Sequence, residues 1–236
     1  MNVERGKISN VTKYAHGILT KNPQTQLESK LFDYAIGTLV VIILLASVLY
    51  YFVLKQPGYV PLLALTVLSS VALVFSKEHM KHYESLTCME GMMIGMTLGM
   101  MSGFMAGAII GATNGMFYGS VFGLAIGIVF GFQMGRSSGV MGAMEGLMAG
   151  LMGGPMGAMS SVMMFNDHLM EFLFIIFGVC FVIIGGLSYM MNREAGSVTN
   201  EKHRTNFIEF LVTSLVLFLL LFGMSIYGPK GPVIYL

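Results

Sequence analysis

Apolar residues occur along this chain in long runs, and short polar segments separate one run from the next. We expect helices at 31–54, 60–76, 88–112, 115–134, 139–164, 168–191 and 207–228. A helix needs about 20 predominantly apolar residues to cross the hydrocarbon core of a bilayer. The pattern therefore predicts an all-α, polytopic integral membrane protein with seven transmembrane helices. A polar segment, 1–30, would precede the transmembrane domain at 31–228, and a short tail, 229–236, would follow it.

The composition and the distribution of positive charge agree with this prediction. The chain is 55% hydrophobic and 11% charged, and the charged share is about half that of an ordinary soluble domain. With seven spans, eleven Lys and Arg residues fall on one side of the membrane and two on the other. Because basic residues favour the cytoplasmic side, we expect a cytoplasmic N-terminus and an external C-terminus. The basic residues are spread over the loops and form no patch, which argues against a nucleic-acid partner.

Glycine recurs at every fourth position from 91 to 139, thirteen times without a miss. Each glycine inside a soluble helix costs about 1 kcal/mol relative to alanine. Inside a membrane the same spacing lets helix backbones approach closely, as in small-xxx-small packing. We therefore expect a Gly-x3-Gly packed, Met-rich core at 88–164, with the other four helices as a lipid-facing shell. The boundary near Asn114, between the third and fourth spans, is the least well defined.

Methionine is concentrated in the same region, which holds seventeen of the chain's 23 methionines between positions 89 and 164. In the fifth span, methionines follow one another in steps of three or four residues and fall within an arc of roughly 120°. Glu145 lies in the same arc. The row covers 22 steps, a rise of about 33 Å, which matches the thickness of the hydrocarbon core. Its members are Met141, Met144, Met148, Met152, Met156, Met159 and Met163.

Two interpretations of this row stay open. In the first, the row packs into the groove that the glycines leave, because methionine is flexible and fills irregular gaps. Alternatively, soft thioethers select soft cations such as Cu(I) and Ag(I). The candidate metal ligands are then Met144, Met148, Met152, Met156 and Met159 of the fifth span, with Met93, Met96 and Cys88 of the third.

The Met-x3-Met pairs 144/148, 148/152 and 152/156, together with the Gly-x3-Gly spacing, resemble features of Ctr-type copper transporters. The resemblance covers the pattern of one helix, and that family has three spans per chain. It implies Cu(I) as the cation.

Two glutamates accompany the methionines in a short repeat. Met89-Glu90-Gly91 returns 55 residues later as Met144-Glu145-Gly146. Glu90 belongs to the first turn of its helix, where the helix dipole stabilises a carboxylate. Glu145 lies nearly two turns inside, where a carboxylate is costly and usually has a functional reason. We expect Glu145, with Glu90 as the poorer copy, to compensate the charge of a cation.

Polar residues at the two ends of the methionine row are candidates for its entry and exit. Met163, Asp167 and His168 lie at the expected outer end, where His168 and Glu171 share a helical face; His79 and His82 lie in the expected inner loop. Motifs for phosphate binding, zinc hydrolysis or nucleophilic catalysis are absent from the sequence, so we do not expect an enzyme.

Two other functions are compatible with the same sequence. The glycine ladder could dock helices of a structural or assembly subunit, in a homo-oligomer or against a membrane-protein partner. A cation or proton channel built on Glu90 and Glu145 is a third hypothesis.

Overall fold

The computed structural model describes residues 23–51, 60–81, 87–164, 167–194 and 207–227, and within these ranges the chain is all-helical, with no strand. In chain order the helices are α1 (Pro23–Leu49), α2 (Val60–Lys81), α3 (Cys88–Asn114), α4 (Met116–Gly135), α5 (Val140–Met163), α6 (Leu169–Glu194) and α7 (Phe207–Tyr227). A short 3-10 turn, Arg136–Ser138, lies between α4 and α5.

Most helix boundaries agree with the sequence prediction, and two differ from it. Helix α1 begins at Pro23, eight residues before the expected start, and ends at Leu49. Proline is well tolerated in the first turn of a helix, where its missing N–H has no partner to lose. Helix α2 continues to Lys81, past the expected end at position 76. His79 is therefore helical, whereas the sequence placed it in a loop; His82 and the tail 229–236 lie outside the described residues.

Five helical segments are long and apolar enough to cross a membrane. They are Val60–Met80, Cys88–Asn114, Met116–Ser138, Leu169–Met191 and Phe207–Ile226. The apolar part of α1, Asp33–Leu49, is shorter, and α5 is not among the five. The many glycines of α5, with its serines, proline and glutamate, dilute its apolar character. The five apolar helices make this an integral membrane protein.

Two members of the glycine ladder separate the helices α3, α4 and α5 from one another. Gly115 has φ 92° and separates α3 from α4, while Gly139 has φ 100° and precedes α5. Residues with a Cβ rarely adopt this left-handed backbone conformation, and glycine adopts it without strain. As a result α4 runs antiparallel to α3 and α5, whereas α3 and α5 are parallel.

Most of the remaining glycines of α3, α4 and α5 meet one another backbone to backbone. An added Cβ at Gly99 would lie 2.8 Å from the carbonyl oxygen of Gly146, and one at Gly123 would lie 2.7 Å from Cα of Gly107. The contacts form five layers, each with one small residue from every helix. The layers are Gly95/Gly135/Gly142, Gly99/Gly131/Gly146, Gly103/Gly127/Gly150, Gly107/Gly123/Gly154 and Gly111/Gly119/Ala158. At 1.5 Å per residue, successive layers are about 6 Å apart.

Larger apolar side chains join the other helices to this assembly. One cluster of buried residues includes Ile109 of α3, Phe177 of α6 and Phe210 of α7. A second cluster joins Ile42 of α1 to Phe218 of α7. A polar contact also links α3 to α7, because the Asn114 side-chain amide donates a hydrogen bond to the carbonyl of Met224.

Candidate thioether face

The methionines of α5 lie on the surface of the protein. All seven of the row between positions 141 and 163 are between 44% and 68% exposed. The opposite side of the same helix carries glycines, and Gly142, Gly146, Gly150 and Gly154 are buried. Because glycine and methionine occupy separate arcs, close packing of the glycines leaves the thioethers pointing outward. We call this surface, Met141, Met144, Met148, Met152, Met156, Met159 and Met163, the thioether face.

This arrangement corrects one expectation about the row. The atoms that approach the glycines of α3, α4 and α5 most closely are backbone atoms and small side chains of Ser138, Ala158 and Ser161. The methionines of α5 therefore do not fill the glycine groove. We expected the fifth span to lie in the interior. Its glycines are buried there, but the expectation is wrong for its methionines, which are exposed.

Helix α3 also carries exposed methionines. Met89, Met93 and Met96 are 71%, 48% and 47% exposed. The carbonyl oxygens of Gly142 and Gly146 face Gly95 and Gly99, so the parallel helices α3 and α5 align with an offset of 47 residues. The sequence repeat has an offset of 55 residues. Glu145 therefore lies level with Leu98, about 12 Å deeper than Glu90.

Glu145 is the acidic residue of the thioether face. Its side chain is half-buried, and it forms no hydrogen bond or ion pair with any residue in the described parts of the chain. A carboxylate inside a membrane usually has a partner or faces a cavity. Glu145 is thus an acidic side chain without a polar partner among the described residues.

Glu90 has a structural partner instead. Its Oε2 accepts a hydrogen bond of 2.8 Å from the backbone N–H of Thr87, and its own N–H donates to Thr87 Oγ1 at 3.4 Å. This reciprocal pair is a capping box, which satisfies N–H groups at the start of a helix. Glu90 therefore caps α3, and its carboxylate is directed to the helix end.

The outer group of candidate residues lies in the turn between α5 and α6. His168 Nδ1 is 3.7 Å from Glu171 Oε2, and both side chains are 77% exposed. Asp167 and Met163 are also exposed. The structure thus brings His168 and Glu171 together, as their spacing predicted, in an open site rather than an enclosed one.

The structure describes two of the inner candidates, His79 and Cys88, and places them in different surroundings. Cys88 is exposed at the first position of α3. His79 is 2% exposed near the end of α2, and its ring lies 6.0 Å from that of Phe75. We expected this histidine in a solvated loop, and that prediction is wrong because His79 is buried on a helix. His79 is part of the packed structure, whereas Cys88 is exposed.

Nitrogen, oxygen and thiol ligands form no cluster in the part of the chain that the structure describes. No three His, Cys, Asp or Glu residues there are placed to hold a metal ion together. Methionine sulfur binds soft cations in preference to Zn²⁺, Mg²⁺ or Ca²⁺.

An apolar groove of about 690 Å³ lies between α1, α2 and α6. Its lining includes Leu39, Leu68 and Phe174, with Ser47 and Tyr50 as its polar members. The Ser47 hydroxyl donates to the carbonyl of Ile43, so it is already engaged. The groove offers hydrocarbon contacts and no chemistry.

Comparison with known proteins adds no relative to this description. No protein-family model, no curated protein and no solved structure matches the chain significantly. The class of the protein therefore rests on its own geometry: an all-helical integral membrane protein whose described surface carries a row of thioethers.

Proposed function

We propose that this protein binds a soft monovalent cation, Cu(I) or Ag(I), on the thioether face and moves it along α5. The observation that supports this proposal is the exposure of all seven methionines on one face of the helix. Packing against the glycines does not account for them, because those glycines contact backbone and small side chains. Leucine would cover an exposed apolar face equally well, and only methionine adds a soft donor atom.

The proposal requires that α5 crosses the membrane. Five of its small residues pair in step with glycines of α3 and α4, both of which are apolar enough to span. A helix that is packed along two spanning helices over its length shares their depth. With α1 as the first span, the chain then crosses seven times. The distribution of Lys and Arg favours a cytoplasmic N-terminus and an external C-terminus.

The spacing of the methionines suits a mobile cation. Residues four apart on a helix have Cβ atoms about 5–6 Å apart, and the flexible methionine side chain allows two sulfurs to converge on one ion. Met144, Met148, Met152 and Met156 offer a series of such pairs. Since thioethers are neutral, neighbouring pairs have similar affinity, and the cation can pass from one pair to the next.

Glu145 would compensate the charge of the cation in this mechanism. Carboxylate oxygen is a hard ligand, so its contribution would be electrostatic rather than direct ligation. The open turn at His168 and Glu171 would admit or release the ion at one end of the row. Cys88 and Met89, both exposed, would do so near the other end.

Metal titration of the purified full-length protein tests the proposal. We expect the Met148→Leu/Met152→Leu double variant to bind Ag(I) at least about tenfold more weakly than the wild type, a difference of about 1.4 kcal/mol. These swaps conserve volume and usually cost less than about 1.5 kcal/mol of stability. The matched control is Met101→Leu/Met116→Leu, which changes two methionines of α3 and α4. Unchanged Ag(I) and Cu(I) binding in the first variant would refute the proposal.

A structural or assembly subunit is the second candidate function. Glycines of α6 support it: Gly178, Gly185 and Gly186 are exposed, and a Cβ at each would meet nothing within 4 Å. Such positions would let a partner helix, from a second copy or another membrane protein, approach in a glycine zipper. Gly185→Leu should then reduce the size of the detergent-solubilised particle without changing Ag(I) binding. An unchanged particle size would refute the assembly function.

A further inference from the structure

Buried methionine is concentrated at one end of the helical bundle. A cluster of six buried residues contains Met80 of α2, Met134 of α4 and Met191 of α6, with Ile94, Leu98 and Leu187. Met190 packs against the same cluster and is partly buried. Three of its six buried members are therefore methionine.

The rest of the buried interior has a different composition. The largest cluster has one methionine, Met105, among eighteen buried residues, and the cluster around Ile42 and Phe218 has none among seven. Leucine, isoleucine, phenylalanine, valine and alanine make up most of those clusters, and Met101, Met170 and Met224 pack partly buried against the largest one. If methionine were used here only to fill space, we would expect it in similar proportion throughout the interior.

The position of the cluster connects it to the thioether face. Met80 and Met191 lie near the C-terminal ends of their helices, and Met134 lies near the end of α4, shortly before α5 begins at Val140. The first methionines of the thioether face therefore start at the same end of the bundle. The charge distribution that orients the chain places this end on the cytoplasmic side.

We infer that Met80, Met134 and Met191 form a buried, all-thioether binding site for one Cu(I) or Ag(I) ion at the inner end of the thioether face. The choice of cation rests on the proposed function, but the ligands are different residues. Three helices that are distant in sequence each supply one methionine to the cluster, so folding brings the candidate ligands into one buried region before an ion arrives. Burial at 3%, 7% and 0% excludes water from the sulfurs, and an ion held there would exchange more slowly than one on the exposed row.

Silver binding by the full-length protein in thiol-free detergent solution tests this inference, since Ag(I), unlike Cu(I), is not oxidised by air and does not disproportionate. We expect the Met80→Leu/Met134→Leu/Met191→Leu variant to bind one Ag(I) ion fewer per chain than the wild type. Met105→Leu is the matched control, because it removes a buried methionine of another cluster. The expected result is also a slowly exchanging Ag(I) population in the wild type and the control that is absent from the triple variant.

If the triple variant does not fold, the Met134→Leu single variant provides the test. It should lower the Ag(I) affinity of the slowly exchanging site at least about tenfold, or by about 1.4 kcal/mol. Equal stoichiometry and exchange in wild type and cluster variants would overturn the inference. Comparison with Met148→Leu/Met152→Leu separates the two proposals. If Ag(I) binding is lost only in the variants of Met80, Met134 and Met191, transport along the exposed row is refuted. If it is lost only in Met148→Leu/Met152→Leu, the buried site is refuted.

Discussion

The glycine layers make a quantitative prediction that a single methyl group can test. Gly127 lies in the middle layer, and a Cβ added there would be 2.9 Å from Cα of Gly103 and from Cα and the carbonyl oxygen of Gly150. Carbon atoms pack best at about 3.5–4.0 Å. Because all three neighbours are backbone atoms, no side-chain rotation can relieve the overlap. Helix α4 would have to move away from α3 and α5 by about 0.6–1.1 Å at the same time.

Gly178→Ala is the control for Gly127→Ala. Both glycines lie inside helices and gain about 1 kcal/mol of helix propensity when changed to alanine. At Gly178 a Cβ would meet nothing within 4 Å, so propensity acts alone there. The difference between the two variants therefore isolates the steric cost, which for overpacked interiors is about 1–3 kcal/mol.

Thermal unfolding in detergent, followed by circular dichroism, measures this difference. A change of 1 kcal/mol moves Tm by about 2–4 °C in a chain of this size. We therefore expect Gly127→Ala to unfold about 2–12 °C below Gly178→Ala. A Tm for Gly127→Ala equal to or above that of Gly178→Ala would refute backbone contact at this layer.

Three further predictions concern polar side chains. Thr87→Ala should lower the stability of α3 by about 0.5–2 kcal/mol because it removes the capping box, and hydrogen exchange in the first turn should become faster. Unchanged exchange there would contradict the cap; Thr97→Ala, in mid-helix, is the control. Asn114→Ala should cost about 1–3 kcal/mol in thermal unfolding, because it leaves the Met224 carbonyl without its buried donor; an unchanged Tm would exclude that bond. Glu145→Gln should increase the free energy of unfolding of the metal-free protein by up to about 3 kcal/mol, seen as a higher Tm, and it should weaken Ag(I) binding. A lowered Tm would mean that the carboxylate has a partner.

The capping box of α3 and the His168–Glu171 contact could be anticipated from the sequence because both are local. Thr87 and Glu90 are three residues apart, as are His168 and Glu171, and helical geometry brings such positions together. The end of α2 was less predictable. Lys77, Glu78 and His79 look like loop residues, yet the helix continues through them and buries Glu78 and His79. Tertiary contacts override the local preference there.

No pattern in the sequence predicted the buried cluster that contains Met80, Met134 and Met191. Met80, Met134 and Met191 lie more than fifty residues apart and share no spacing. The sequence draws attention to the dense row in α5 instead, where methionines recur at helical intervals. Only the packing of α2, α3, α4 and α6 at one end of the bundle places the three methionine side chains in one cluster.

By itself, the sequence determined the helical class, the apolar segments and the four-residue step of the glycines, because these depend on residues close together in the chain. Only the tertiary structure decided how the glycines were used and which way the methionines pointed. Gly115 interrupts the ladder and Gly139 ends it, and the helices α3, α4 and α5 then align their small residues in register. Backbones in such close contact leave no room for long side chains between them. The methionines of α5 are therefore on the outer surface, and the interior methionines are a different set.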